Sequence, residues 1–214
     1  MCQRLDLPLF PLNCVLFPNE LLPLHIFEER YKLMINNCLD GVPEFGVVLI
    51  KSGSEVGGQA DPHLVGTVAR IRQTEGLDDG RMMIVVEGKQ RFYVNRLAGV
   101  EPYLKADVEL LMDVDDTTGD EASIQDIREV ATRHLRMVMG LQGEWVKEAS
   151  APNDPIALSY YLPSQLQVPL QQKQSLLEEP STVVRLGQAV VLMIGETRGL
   201  KQRLDQEIGK RHSS

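Results

Sequence analysis

Thiols and imidazoles are the groups of this sequence best suited to bind a metal or to attack a substrate, and their spacing favours neither role. The chain has three cysteines and four histidines. The cysteines form no CxxC pair, and the histidines show no HxxxH or HExxH spacing, so we predict no metal site. Scattered cysteines in odd number are typical of reduced thiols. We predict that Cys38, at the end of a helical pattern, is a small buried thiol.

Carboxylates and glycine-rich loops give no catalytic pattern either. The sequence has no GxxxxGK[ST] phosphate loop and no GxSxG nucleophile elbow. Glu28 is adjacent to Glu29, and Asp78 to Asp79. Adjacent side chains on a helix point in different directions, so these acids are better explained as solvated charges or helix caps than as acid–base pairs. We therefore predict no catalytic residue, no cofactor and no enzymatic activity.

The composition excludes several classes of partner. The chain has 214 residues, 43% of them hydrophobic, and a net charge of −8. Basic residues are outnumbered 11 to 16 in residues 1–113 and 11 to 14 in residues 114–214, which argues against the concentrated basic face that nucleic-acid binding requires. No apolar run approaches the roughly 18 residues of a membrane span. Asp6 stands where a signal peptide would be apolar, and we expect a cytoplasmic protein.

The first half of the chain predicts a small β structure that can position side chains. Residues 47–50 form a short apolar run typical of a buried strand. Residues 67–71 and 82–86 flank Leu77-Asp78-Asp79-Gly80, a strong hairpin signal because glycine tolerates the positive φ of a tight turn. Residues 104–110 alternate between apolar and polar side chains, as a strand with one wet face does.

Two further patterns complete this half. Residues 92–94 predict a further strand, and one helix near 27–39 carries apolar side chains at three- and four-residue intervals. Many short strands separated by turn signals suggest a small barrel or closed sheet.

The chain changes character near residue 113. Residues 114–121 are mostly acidic and polar, so we predict a solvated linker between a β-rich subdomain, 1–113, and a helical subdomain, 122–214. The helical part contains a long helix from about 124 to 145, a helix opened by Asp154 and Pro155, and a short helix from about Leu170 to Glu178. A long C-terminal helix begins after residues 180–181. We expect a monomer or a weak dimer, since the apolar stripe of this helix could support weak association.

The most informative residues lie near the N-terminus, where four prolines alternate with large apolar groups. The segment LPLFPL begins at Leu7, VLFP at Val15 and LPLHIFEERY at Leu22. Each proline fixes φ and lacks an N–H donor, so this region is expected to form short extended pieces joined by turns.

This pattern resembles the N-terminal, substrate-binding domain of the Lon protease family. The resemblance continues in the same order over roughly residues 5–205. It includes GTVARI at 66–71, GxxRF at 88–92, PYLxA at 102–106 and DPxxLS at 154–159. It extends to KQxLLE at 173–178.

The resemblance implies an α+β fold with a β-barrel-like (PUA-like) subdomain followed by an all-helical bundle. In full-length Lon proteases this region recognises polypeptide substrates, and an ATPase module and a Ser-Lys peptidase module follow it. The sequence ends at Ser214, before those modules. We therefore expect a stand-alone, non-catalytic member of this bacterial, proteolysis-related family.

The leading hypothesis is a module that binds exposed or unfolded polypeptide segments, or one protein partner as an adaptor. Apolar anchors rimmed by charge are typical of peptide grooves, and the start of the first helix offers such a set. The aromatic side chains there could equally be core residues, and His25 could be buried. The alternatives are a small hydrolase or peptidase and an RNA-binding PUA-like protein. The candidate peptide-binding residues are His25, Phe27, Glu28, Glu29, Arg30 and Tyr31.

Overall fold

The chain folds as an α+β protein, as predicted. The computed structural model describes residues 4–54, 60–78, 80–99, 102–117, 121–141 and 151–212. The strands are β1 (Arg4–Leu12), β2 (Leu21–Ile26), β3 (Glu44–Gly53), β4 (Ala60–Gly76), β5 (Met82–Gly99) and β6 (Lys105–Leu110). The helices are α1 (Glu29–Asp40), α2 (Glu121–Leu141), α3 (Pro155–Gln165), α4 (Leu170–Glu178) and α5 (Thr182–His212). No helix in the described part of the chain is long and apolar enough to cross a membrane.

The six strands form one sheet that closes into a barrel. Their order is β2-β5-β4-β3-β1-β6, and β5 also pairs with β6. Because β5 pairs with both β4 and β6, the path through β4, β3, β1 and β6 returns to β5. Strand β2 lies outside this ring and pairs antiparallel with residues 82–87 of β5. The barrel-like prediction is confirmed.

The β4–β5 hairpin differs from the sequence prediction in one respect. Residues 92–94 are not a separate strand but belong to β5, which is 18 residues long. Register shifts in its pairing with β4 and with β6 bend the strand, and bulges of this kind let one strand serve two neighbours. At the turn, the Gly80 N–H donates to the Leu77 carbonyl at 2.9 Å, and Gly80 has a φ of +77°. Asp79 lies outside the described residues.

Two apolar clusters fill the β-rich unit. One lies inside the barrel and includes Leu9, Val68, Phe92 and Val108. The other joins the inner side of β2 and the sheet to α1, whose buried residues are Tyr31, Met34, Ile35 and Cys38. The predicted apolar face is confirmed from Tyr31 to Cys38, including the burial of the Cys38 thiol. Phe27, with which the predicted face began, instead precedes the helix and is exposed, because α1 begins at Glu29.

The described chain divides into two compact units. The first contains residues 1–112 together with Lys173–Glu178, and the second contains 113–172 and 179–214. The predicted bounds assign the segment Lys173–Glu178 to the helical subdomain, whereas the structure assigns it to the first unit. Two long-range hydrogen bonds hold this segment in the first unit: buried Arg91 donates to the Leu177 carbonyl at 2.8 Å, and buried Gln174 donates to the Val65 carbonyl at 3.0 Å. No local pattern in the sequence signals either contact.

In the second unit, α3 begins as predicted. Asp154 caps the helix by accepting a hydrogen bond from the Ala157 N–H at 2.7 Å, and Pro155 occupies the first turn. The fully buried Arg185 of α5 lies 3.9 Å from the ring centre of Tyr160 and donates to Ser159 and Asp113. These contacts compensate a buried guanidinium that would otherwise be costly.

The acidic stretch contacts the start of α5. Val114 forms an isolated bridge with Ser181. Asp116 accepts hydrogen bonds from the Ser181 hydroxyl at 2.6 Å and from the Val183 N–H at 3.0 Å. Residues 118–120 are outside the described part of the chain, so the predicted linker 114–121 stays a prediction. The predicted continuation of α2 to Trp145 also lies outside it.

Candidate functional site

The outer face of β2 presents an apolar strip beside the first helix. Leu21 is 62% exposed and Phe27 is 46% exposed, and Pro23 and His25 between them are also exposed. Alternate residues of a strand point to the same face. Leu22 and Leu24, in the intervening positions, pack on the core. The alternation thus places Leu21, Pro23 and His25 together on the outside.

Strand β5 extends this strip sideways. Its register places Met83 opposite His25 and Val85 opposite Pro23, and directly paired residues share a face. Met83 is 37% exposed. A depression of about 500 Å³ lies here, lined by Pro23, Met83 and Val85 and by polar residues of β4 such as Glu75. We call the set Leu21, Pro23, His25, Phe27, Met83 and Val85 the β2 surface.

Strand β2 is also the end of the sheet. In the described part of the chain it pairs with β5 and with no other strand. Pro23 suits such a strand because it has no N–H to offer on the open side. A sheet edge with exposed main-chain groups can accept an extended peptide as an additional strand.

Charged groups border the β2 surface at the end near Leu21. Glu87 pairs across the strands with Leu21 and accepts hydrogen bonds from Arg72 and from Lys89, the latter at 3.2 Å. Although burial opposes the change, these hydrogen bonds hold the pKa of Glu87 below its usual value. The Glu87 carboxylate is therefore ionised at neutral pH and hydrogen-bonded to Arg72 and Lys89.

At the other end of the β2 surface, the charged side chains at the start of α1 pair with one another. Arg30 bonds Glu28 through Nε at 3.0 Å and lies 4.5 Å from the centre of the Tyr31 ring. Glu29 is paired with Lys32 at 2.8 Å, but its side chain is 89% exposed. Of these charged candidates, Glu29 is the most open to a ligand. An acid in the first turn also complements the helix dipole.

The aromatic candidates separate into core and surface. Tyr31 is 6% exposed and stacks on Phe10, with 4.0 Å between ring centres. Phe10 and Phe17 are buried too. Phe27 instead stays on the surface, where its ring centre lies 5.8 Å from that of His25. Tyr31 is therefore a core residue of α1 and is not part of the β2 surface.

The ionisable groups near the barrel give little support for covalent chemistry. Burial raises the pKa of the Cys38 thiol to about 11, and its Sγ lies 3.4 Å from the Glu44 carbonyl oxygen. A thiol with so high a pKa is a poor nucleophile at neutral pH. His63 lies 3.5 Å from Glu178. Within the described residues, no three His, Cys, Asp or Glu side chains are grouped so that they could hold a metal ion.

Sequence reasoning missed Leu21, Met83 and Val85. Leu21 precedes the conspicuous LPLHIFEERY segment, and its exposure follows only once the pairing of β2 is known. Met83 and Val85 belong to an apolar run that predicts a strand, but the run does not show which neighbour covers it. The signal available in the sequence was Pro23, because a proline within a strand indicates an edge strand.

Comparison with known proteins places the chain in a family. The model of the ATP-dependent protease La (LON) substrate-binding domain matches residues 6–194. The Lon protease of Cytophaga hutchinsonii is 31% identical over 192 residues, which is 87% of this chain and 24% of that protein. The Lon protease of Escherichia coli K12 is 26% identical over 200 residues, 91% of this chain and 25% of that protein. The chain thus spans about a quarter of the length of these relatives.

Solved structures agree with this match. A Lon N-terminal domain protein from Xanthomonas campestris superimposes with a TM-score of 0.66 at 27% identity, covering 87% of this chain and 98% of that one. The N-terminal domain of a Mycobacterium avium complex Lon protease has the same fold, with a TM-score of 0.68 at 17% identity and coverage of 88% and 97%. The region matched is the substrate-binding part of Lon and not its catalytic module. The chain belongs to the family of Lon substrate-binding domains.

Proposed function

We propose that this domain binds exposed apolar segments of unfolded polypeptides, and that it does so at the β2 surface. The observation that carries the proposal is the exposure of Leu21, Phe27 and Met83 on one face beside an open strand edge. Contiguous exposed apolar side chains on a folded domain are typical of interaction sites. The family to which the chain belongs is named for substrate binding.

The geometry suggests how a segment would bind. An extended polypeptide laid along the free side of β2 would form main-chain hydrogen bonds with the strand, and its alternate side chains would meet the depression near Met83. Main-chain hydrogen bonding does not depend on sequence, whereas burial of apolar side chains favours segments normally hidden in folded proteins. His25 and Glu29 would border the bound segment. Phe27 and Leu21 would be the main apolar contacts.

Fluorescence anisotropy tests the proposal by measuring the binding of a permanently unfolded protein. Reduced and alkylated ribonuclease labelled with a fluorophore is a suitable ligand. We expect the double variant Leu21→Ser, Phe27→Ser to weaken binding by at least about tenfold, as for apolar contacts at the centre of an interface. Met83→Ser should weaken it further. The matched control is Leu64→Ser, because Leu64 on β4 has the same exposed fraction as Phe27, 46%.

The outcomes separate this function from its alternatives. Equal losses in the Leu64 control and the β2 variants would contradict the assignment of the surface. Retention of RNA but not of unfolded protein would favour the RNA-binding alternative, and turnover of a peptide substrate would favour the hydrolase.

Arg30 is unsuitable for substitution, because its contacts with Glu28 and Tyr31 also stabilise α1.

A further inference from the structure

A second cavity lies within the helical unit, between α2 and α5. Its volume is about 340 Å³, within the range of small-molecule sites. Val130 of α2 and Met193 and Ile194 of α5 form its apolar wall. The lining positions of the cavity are 130, 133 and 134 on α2 and 193, 194, 197 and 198 on α5. They recur at three- and four-residue intervals, so the cavity is built on one face of each helix.

One end of the cavity is polar and fixed. His134 is 6% exposed, and its Nδ1 lies 2.7 Å from the Thr197 hydroxyl. That hydroxyl donates its single hydrogen to the Met193 carbonyl at 2.8 Å, so His134 Nδ1 must be the donor to Thr197. Nε2 lies 3.4 Å from Glu196. Burial lowers the pKa of His134, and the adjacent Glu196 carboxylate opposes this change.

Two arginines, one on each helix, bring positive charge to the cavity. Arg133 of α2 and Arg198 of α5 both line it, and both are exposed. Within the residues that the structure describes, neither guanidinium forms an ion pair or a hydrogen bond. Their donors are therefore available to a ligand. Guanidinium groups match the planar, two-oxygen geometry of a carboxylate.

The geometry points to a binding site for an aliphatic carboxylate. The carboxylate would be held between Arg133 and Arg198, and the aliphatic body would lie against Val130, Met193 and Ile194. A free short-chain acid and the C-terminal residue of a polypeptide share this chemistry. The site belongs to the second unit and does not depend on the proposed function of the β2 surface.

The test is a titration of the whole chain, followed through the ¹³C-labelled methyl resonance of Met193. Hexanoate is the free acid, and hexanamide is its neutral counterpart of equal size. A tripeptide ending in leucine, with either a free or an amidated C-terminus, represents the polypeptide source. We expect saturable binding of hexanoate or of the free-ended tripeptide, at least about tenfold tighter than that of the matching amide. Whichever carboxylate binds more tightly identifies the source.

Substitutions distinguish the site from general charge effects. Arg133→Gln and Arg198→Gln should each weaken binding by about five- to tenfold. Arg136→Gln is the matched control, because Arg136 is an exposed arginine of α2 that does not line the cavity, and it should leave the affinity unchanged. The inference is overturned if neither carboxylate binds up to about 20 mM, if the amides bind equally well, or if the control loses as much affinity as the site variants.

Discussion

At Gly80 a single backbone angle limits the choice of residue. The φ of this residue is +77°, and among the described residues outside its chain neighbours an added Cβ would approach only Lys32 Nζ, at 3.8 Å. A side chain there has space, so its cost is backbone strain. We expect Gly80→Val to lower the free energy of unfolding by about 1–3 kcal/mol. Gly80→Asn should cost less, because asparagine tolerates the left-handed region. Urea denaturation measures both, and an unchanged midpoint for Gly80→Val would contradict the prediction.

The Cys38 thiol should be protected from alkylation by its surroundings. It is 4% exposed, and burial raises its pKa to about 11. Because the thiolate is the reacting species, we expect alkylation by iodoacetamide at pH 8 to be about 100-fold slower in the folded protein than in urea. Mass spectrometry of the Cys38 peptide follows the reaction, with the half-buried Cys14 as an internal comparison. Similar rates in the folded and unfolded protein would show that the thiol is accessible.

At the scale of elements, the start of α5 depends on a carboxylate from the preceding segment. Hydrogen bonds from the Ser181 hydroxyl and the Val183 N–H lower the pKa of Asp116. A group whose folded pKa is lowered contributes stability above its unfolded pKa and loses it as the pH falls through the folded value. We therefore expect Asp116→Asn to lower the melting temperature at pH 7.

The same reasoning predicts how the effect of Asp116→Asn depends on pH. The difference in melting temperature from the wild type should narrow as the pH falls below about 4. Asp126→Asn is the control, since Asp126 is an exposed acid of α2 and should show a small difference at every pH. A difference in melting temperature between the wild type and Asp116→Asn that stays constant from pH 7 to pH 3 would contradict a role for the ionised carboxylate.

Elements with local signals could be predicted from the sequence, and their partners could not. The Asp154 cap and the apolar spacing of Tyr31 and Cys38 lie within a few residues, so α3 and α1 follow directly. The pairing of β2 with β5 joins residues some 60 positions apart and has no local signature. The candidate site was predicted incompletely for the same reason. Phe27 and Tyr31 are both aromatic residues at a helix start, and only the packing of Phe10 on Tyr31 separates core from surface.

For the molecule as a whole, the first unit is not continuous in sequence. It includes Lys173–Glu178, whose carbonyl at Leu177 accepts the hydrogen bond of the buried Arg91 guanidinium. A buried charged group that loses a hydrogen-bond partner destabilises a fold by about 1–3 kcal/mol. We therefore expect a fragment of residues 1–112 to be markedly less stable than the same residues in the full chain.

Hydrogen exchange of the β4 and β5 amides, compared between the fragment and the full chain, measures this difference. A peptide of residues 169–180 added in trans should restore part of the protection. The same peptide with Gln174→Ala should restore less, because it lacks the amide that donates to the Val65 carbonyl. Equal protection in the fragment and the full chain would show that the barrel is complete without α4. Protection restored equally by both peptides would show that apolar contacts, and not the Gln174 hydrogen bond, attach α4 to the first unit.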